Sequence, residues 1–413
     1  MINRIQNLIV IALIGFIGAD RINFGAGITD SFKITPFLVL SFIFVLFTIV
    51  FSPKKFSFNW LIENSFVSFL LFIFLFFVSI SVFFSADVGM SIKRYILLLI
   101  IVFSIILILS TYSTNELNSI MIRSSILGSM LFIIFDILLI SSWIGSINFN
   151  VPQININPNT IGHFIPRPGG FSLDVNRGGV VLAIFSYIIF LNKSKTRYGN
   201  YILLINSLLL SITLSRSVYI FIFFLISTHF ILFYSNRKLI KSVFFGTGII
   251  IIMGLLSIYL DNLGVIELSP VLDERFSIPE LNKSTSTGLH LILIRDGINY
   301  IFSNVKYFFL GIGHGASFLI TTGYYWSGTK YGNFHSQLVT IFVENGVFTF
   351  FMFTIFTVIY PLIIGIKNFF LPLILALFFY NIFYQLSSEP IYWFTILLFY
   401  KNSTKLNLEI HVS

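Results

Sequence analysis

Apolar stretches as long as a bilayer is thick recur along this chain, and few folds can accommodate them. A helix that crosses the hydrocarbon core needs about 20 predominantly apolar residues. Candidate stretches fall at residues 5–18, 36–51, 65–84, 95–110, 120–143, 178–191, 201–214, 218–234, 243–260, 338–364, 369–386 and 391–400, twelve in all, the last one short. Of the 413 residues 56% are apolar and only 10% charged, against about 25% charged in a soluble domain. Too few charges remain to solvate a body of this size. A water-soluble enzyme, a secreted domain and a disordered chain are therefore excluded. The expected fold class is an all-α polytopic membrane protein of about twelve transmembrane helices. The first stretch is short and follows Arg4, but no small-residue cleavage site comes after it. It reads as a retained helix rather than a signal peptide.

The net charge of +9 takes a topological explanation in such a chain, since Lys and Arg collect on the cytoplasmic side. No nucleic acid is expected as a partner; membrane lipid is. With both termini cytoplasmic, the inner segments carry Lys54-Lys55, then Lys193, Lys195 and Arg197, then Arg237, Lys238 and Lys241, then Lys367, then Lys401 and Lys405. This phase divides the chain into N-terminal spans (1–143), a first outer loop (144–177), central spans (178–260), a large outer loop (261–336), and C-terminal spans with a tail (337–413). The large loop is too long and polar for a connector. Its stretch 289–302 is apolar with a helical period, so an amphipathic helix is expected there.

Cysteine is absent, which removes thiolate chemistry and disulfides. Of the six histidines, His229 lies in an apolar run and reads as a buried, hydrogen-bonded side chain. No H-E-x-x-H or similar ligand spacing occurs, so neither a metal nor another cofactor is expected. No Asp-x-Asp pair is present to hold a nucleotide sugar through a divalent cation. Asp136 is a single carboxylate at mid-span, too little for a proton-coupled transporter. Gly311-Ile312-Gly313-His314-Gly315 lacks the strand and helix of a dinucleotide fingerprint and reads as a tight turn.

The outer side also carries arginines that the topology rule does not call for: Arg167 and Arg177 in the first loop, Arg216 in Leu-Ser-Arg-Ser between two apolar runs, and Arg295 in the large loop. Arg21 and Lys33 are expected to snorkel to the interface. Arg216 is not, because a tight turn needs no cation. Arginine suits phosphate because its planar fork makes paired, charge-assisted bonds. Outward arginines on a membrane protein point to a lipid-linked phosphate or pyrophosphate.

The densest constellation runs from the glycine segment at 311–315 through His335-Ser336-Gln337-Leu338 to Glu344-Asn345-Gly346. It resembles the O-antigen polymerase and O-antigen ligase superfamily, whose hallmark is G-x-G, then His-Asn, then Glu-x-Gly nine and eleven residues after the histidine. Leu214-Ser215-Arg216-Ser217 looks like the family's Ser-Arg turn, and the segment from Arg167 to Asn176-Arg177-Gly178 like its outer arginine segment. Two positions depart from the pattern. Ser336 stands where Asn is usual, and His290 stands where an arginine commonly opens the loop helix. Arg295, five residues on, faces about 140° away from His290 on a helix.

The resemblance implies a glycosyltransferase acting at the outer face of the bacterial cytoplasmic membrane. Its donor would be a glycan on undecaprenyl pyrophosphate, its acceptor a sugar hydroxyl. His335, Arg216 and Arg295 are the catalytic candidates; Arg167, Arg177, His290 and Glu344 are the substrate-binding ones. Arg216, with Arg295 or His290, would stabilise the leaving pyrophosphate without a metal. His335 would take the acceptor proton, with Glu344 either orienting it or packing the next helix. Transfer opposite the leaving group would invert the anomeric configuration. A polymerase, joining lipid-linked repeat units with a chain-length regulator as an expected partner, is favoured over a ligase that transfers to lipid A-core. A lipid-linked oligosaccharide flippase is the reading from another class; it would not need the ordered outer loop that ends in His335.

Overall fold

A computed structural model describes residues 1–25, 33–147, 151–157, 159–161, 165–167, 169–234, 286–321, 332 and 334–412. Among these the chain is almost wholly helical. Helices α1 (Ile2–Gly15), α2 (Pro36–Phe51), α3 (Asn59–Glu63), α4 (Ser65–Phe83), α5 (Val88–Thr111) and α6 (Thr114–Trp143) form the first half. A two-stranded hairpin, β1 (Asn159–Ile161) and β2 (Ile165–Arg167), follows, with Asn159 opposite Arg167. Then come α7 (Val175–Leu191), α8 (Gly199–Ile212) and α9 (Arg216–Phe233). The last part holds α10 (Ser286–Phe302), α11 (Val305–Leu310), α12 (Phe318–Thr321), α13 (Gln337–Thr354), α14 (Tyr360–Ile364), α15 (Leu371–Phe383) and α16 (Pro390–Val412). A π-helical turn, Ile355–Ile359, joins α13 to α14. The expected span at 243–260, the cations Arg237, Lys238 and Lys241, and His163 lie outside the described residues.

Five of the described helices are long and apolar enough to cross a membrane, or six if the pair Pro36–Phe51 and Pro53–Glu63, bent by 116°, is one span. Others, among them α1, α7, α8 and α15, are apolar but shorter. The chain is an all-α membrane protein, and the described helices do not reach the expected twelve spans. Its exterior follows the solvent a bilayer provides. On α4, Phe66, Phe69, Phe72, Phe76 and Phe83 are all more than half exposed. Water would leave such a stripe unsolvated, whereas hydrocarbon accepts it.

Several starts are set by caps. Asp87 accepts from Met90 N and opens α5 one and a half turns before Lys93-Arg94. The expected span at 95–110 began too late because those two cations interrupt the apolar run. Ser113 and Glu116 form a capping box on α6. Ser336 caps α13 by accepting from Val339 N. Asn and Ser serve equally well there, so the departure from His-Asn keeps the cap.

The core has two parts. The larger lies among the long helices, where α1 packs on α6 and α9 on α15. The smaller, formed by Leu293, Ile301, Ile312, Ala316, Phe334 and Val343, lies under α10. The amphipathic helix expected at 289–302 is α10, docked on α13 by its apolar face.

Candidate functional site

The glycine segment and the Glu-x-Gly motif are one interlocked piece of backbone. Ile312 N donates to Val343 O and Gly313 N to Glu344 O, both at 2.9 Å. Gly311 has φ +71°, and a Cβ there would lie 2.2 Å from Glu344 O. Gly346 breaks the regular geometry of α13 at φ +78°, and a Cβ there would lie 2.1 Å from Phe309 O. Only glycine lets the two strands of backbone approach this closely. Ser81 Oγ donates to the same Glu344 carbonyl at 2.6 Å, and Ala86 N donates to Ile312 O at 2.9 Å. The motif thus fixes the 311–317 segment on α4 and α13.

The Glu344 side chain is buried and accepts from Ser317 Oγ and, at 3.3 Å, from Ser317 N. Its other oxygen lies 4.0 Å from His314 Nδ1. It does not orient His335. Nine residues of helix displace a side chain by about 13 Å, and Glu344 serves the glycine segment instead.

His335 directly precedes the cap of α13 and has φ +49°. Among the described non-glycine residues only His335 and Leu214 adopt a positive φ. Such a backbone costs on the order of 1 kcal/mol or more and gathers at functional sites. Leu214 stands two residues before Arg216, so both strained positions flank candidate residues. The His335 ring stacks on His290, with centroids 3.8 Å apart and planes at 12°. Burial pushes the His335 imidazole down to about 4. It is therefore neutral at pH 7.

The arginines divide. Arg216 opens α9, half-buried, with Ser215 as its cap. Ser215 Oγ donates to Asn176 Oδ1 at 2.5 Å, which ties this turn to the start of α7. Arg167 donates Nε to Thr213 O at 3.1 Å and Nη2 to Leu214 O at 3.5 Å, so it braces the turn that presents Arg216. Arg177 pairs with both Asp20 and Glu389 and donates to Ser172 Oγ at 3.1 Å; two carboxylates already take its charge. Arg295 is 54% exposed and lies 3.0 Å from the neighbouring Asp296. On α10 it is therefore His290, not Arg295, that meets His335. A link runs from Arg216 to His335: Ser215 bonds Asn176, Asn176 N donates to Asp174 at 2.7 Å, Tyr384 donates to Asp174, and the Tyr384 ring lies 6.1 Å from that of His335.

Arg21 does not snorkel. It is 1% exposed and donates to the carbonyls of Ser172, Asn155 and Asn157 at 2.9, 3.2 and 2.9 Å. The first loop folds over it, and the buried guanidinium ties the Ser172 carbonyl to those of Asn155 and Asn157. Arg21→Ala should therefore lower stability by about 2–4 kcal/mol, read as a lower melting temperature in detergent. Lys33 remains 44% exposed, 3.8 Å from Asp20. Asp136 accepts from Gly170 N at 2.7 Å and anchors the same loop on α6, which gives that buried carboxylate a structural task. His229 is buried and bonded through Nδ1 to Tyr187 at 2.8 Å, as expected.

A cavity of about 400 Å³ opens beside this network, lined by Lys93, Arg94, Arg177, His314, Glu344 and Tyr384 among others. Lys93, Arg94 and His314 were not singled out as site residues in the sequence. The start of α5 at Asp87 was the signal that could have placed the first two at this end of the bundle. Among the described residues no three His, Asp or Glu side chains gather as metal ligands.

The comparison with curated proteins returned no match. The comparison with family models matched residues 201–354 to the family described as O-antigen ligase. That stretch contains the Ser-Arg turn at Arg216, His290, the glycine segment, His335 and the Glu-x-Gly motif. Residues 201–354 thus match the O-antigen ligase family, within the O-antigen polymerase and ligase superfamily that the motifs resemble.

Proposed function

We propose that the protein polymerises a surface polysaccharide, transferring a glycan from undecaprenyl pyrophosphate to a sugar hydroxyl of another lipid-linked repeat unit. The reaction takes place at the periplasmic face of the bacterial cytoplasmic membrane, within a bundle of about twelve spans with both termini inside. The observation that carries the reading is the pairing, inside a segment of this family, of two strained backbone positions with two reactive side chains. Leu214 presents Arg216, and His335 stacks on His290.

Cleavage of the bond from the anomeric carbon to the pyrophosphate oxygen leaves negative charge on the diphosphate. Arg216 takes that charge with its bidentate fork, and His290 lies on the same site through its stack with His335. The acceptor hydroxyl attacks from the opposite side of the anomeric carbon and gives its proton to His335, so the configuration inverts. Arg167 acts through the turn it braces, and Arg177 shapes the wall between α7 and α16. Arg295 is a weaker candidate than the sequence suggested, because it faces outward beside Asp296. A chain-length regulator is a partner such a polymerase would use.

Transfer to lipid A-core is the second reading, favoured by the description of the matched family as O-antigen ligase.

Burial of His335 sets the pH dependence that tests the base. A neutral imidazole accepts the proton and an imidazolium does not. Turnover by purified protein should therefore stay level from pH 8 to well below the ordinary histidine value near 6.5. It should then fall as the pH approaches about 4, where His335 takes a proton. His335→Gln should lose at least about 10²-fold in turnover and keep donor binding. A variant that turns over like the parent would exclude His335 as the base.

A further inference from the structure

We propose that the cavity of about 400 Å³ among the starts of α5, α7 and α16 and the 311–317 segment binds the acceptor glycan, a neutral, hydroxyl-rich ligand, apart from the donor's diphosphate. The inference rests on the glycosyl-transfer reading above and adds to it the place and chemical class of the second substrate.

The first argument is position. Arg216 and His290, assigned to the diphosphate, and His335, assigned to the acceptor's proton, do not line the cavity. Asp174, Arg177 and Tyr384 form the cavity's border toward these groups. These three line the cavity, while Tyr384 also faces the His335 ring at 6.1 Å and Asp174 stands two residues before the Asn176 that holds Ser215. A ligand in the cavity therefore abuts the same wall as the proposed catalytic groups. Transfer requires the acceptor hydroxyl to reach His335 and the anomeric carbon, and the Tyr384 edge of the cavity is where a bound glycan comes nearest to His335.

The second argument is charge. The lining carries the cations Lys33, Lys93, Arg94 and Arg177. It also carries the carboxylates of Asp20, Asp174, Glu344 and Glu389. Four positive groups against four negative ones make a poor site for a diphosphate, which the carboxylates would repel. A sugar fits, because its hydroxyls donate to carboxylates and accept from Lys and Arg at once. Amide and hydroxyl groups of Asn345, Gln385, Ser387 and Ser388 add further partners. The volume lies within the roughly 300–1,000 Å³ of small-molecule sites.

The third argument is His314. Asn345 Nδ2 donates to Ile341 O at 3.4 Å, which turns Asn345 Oδ1 to His314 Nδ1 at 3.2 Å. The proton thus sits on Nδ1, and Nε2 is left as an acceptor for a ligand hydroxyl. Burial holds this imidazole below its ordinary value, the nearby Glu344 and Asn345 notwithstanding. Gly315 lets Arg94 lie close on the same segment, for a Cβ there would fall 2.5 Å from Arg94 Cγ. The interlocked glycine segment thereby sets both His314 and Arg94 on the cavity.

Two exposed lining residues allow the cavity to be filled without entering the core: Ser388, just before α16, and Lys93, on α5. The probes are the repeat-unit oligosaccharide released from its lipid by mild acid, and undecaprenyl pyrophosphate without sugar. Both are titrated calorimetrically against the full-length protein in nanodiscs. Ser388→Trp and Lys93→Trp should each weaken oligosaccharide binding at least about tenfold and leave undecaprenyl pyrophosphate binding unchanged, with melting temperatures like the parent's. Ser388→Ala adds no bulk and should bind both probes normally. The proposal is overturned if the filled variants lose undecaprenyl pyrophosphate and keep the oligosaccharide, if neither affinity changes, or if the parent does not bind the oligosaccharide. A parent that binds the oligosaccharide in this cavity but forms no covalent product contradicts glycosyl transfer and leaves the binding assignment standing.

Discussion

Replacing Arg216 with alanine is expected to lower product formation by about 10²–10³-fold, the usual loss when one preplaced donor to a developing anion is removed. The protein should still insert and fold, since Arg216 is the first residue of α9 and the helix keeps its Ser215 cap. The effect is large because the surroundings already commit this side chain to its place. Leu214 holds a left-handed backbone at φ +49°, Arg167 bonds the carbonyls of Thr213 and Leu214, and Ser215 bonds Asn176. Arg216→Lys keeps the charge and loses the planar fork, so it should recover little. Arg167→Ala should also lower turnover, through the turn rather than by contact with substrate. Product at the parent's level from Arg216→Ala would remove the diphosphate assignment.

The second large effect is on folding. Gly311→Val should leave no stable, monodisperse protein after extraction. Valine would have to hold φ +71° with its Cβ 2.2 Å from Glu344 O, and the contact is backbone on both sides. Neither partner can yield without breaking the bonds from Ile312 N and Gly313 N to α13. A loss above about 4 kcal/mol is expected, the range reserved for core disruption. Gly145→Ala is the comparison. Gly145 has φ +74° but nothing within 4 Å of an added Cβ, so it should cost only about 1 kcal/mol of backbone strain. Gel filtration in detergent and thermal melting of the two variants separate close approach from strain. Equal behaviour would mean that the interlock does not hold the 311–317 segment.

Much of the framework was readable because a long apolar run admits few alternatives to helix. The stretches at 36–51, 65–84 and 120–143 became α2, α4 and the body of α6, and the amphipathic helix in the large loop became α10. The misreadings have a common cause, which is that a single side chain does not reveal what surrounds it. Arg21 and Arg216 are both lone cations near a span end, and only Arg21 was expected to snorkel. One is enclosed by three carbonyls of a loop more than 130 residues away, the other heads a helix. Glu344 was placed in the right motif, but its partners Ser317 and His314 come from a segment whose path depends on Gly311 and Gly346 together. Lys93 and Arg94 interrupt an apolar run instead of belonging to one, so hydropathy leaves them outside the span. Asp87 and the capping pattern behind it were legible, and would have carried α5 back to include them.

The central claim is covalent glycosyl transfer between lipid-linked units, and one measurement bears on it directly. Purified protein in proteoliposomes is supplied with undecaprenyl-pyrophosphate-linked repeat unit alone, and the glycans are separated by length. A ladder of products that grows with time, and that Arg216→Ala and His335→Gln fail to make, is the result this account predicts. Transfer only when lipid A-core is added would assign the chain as the ligase. Unchanged repeat units, under conditions where the protein moves them across the bilayer, would contradict the account and leave a transporter.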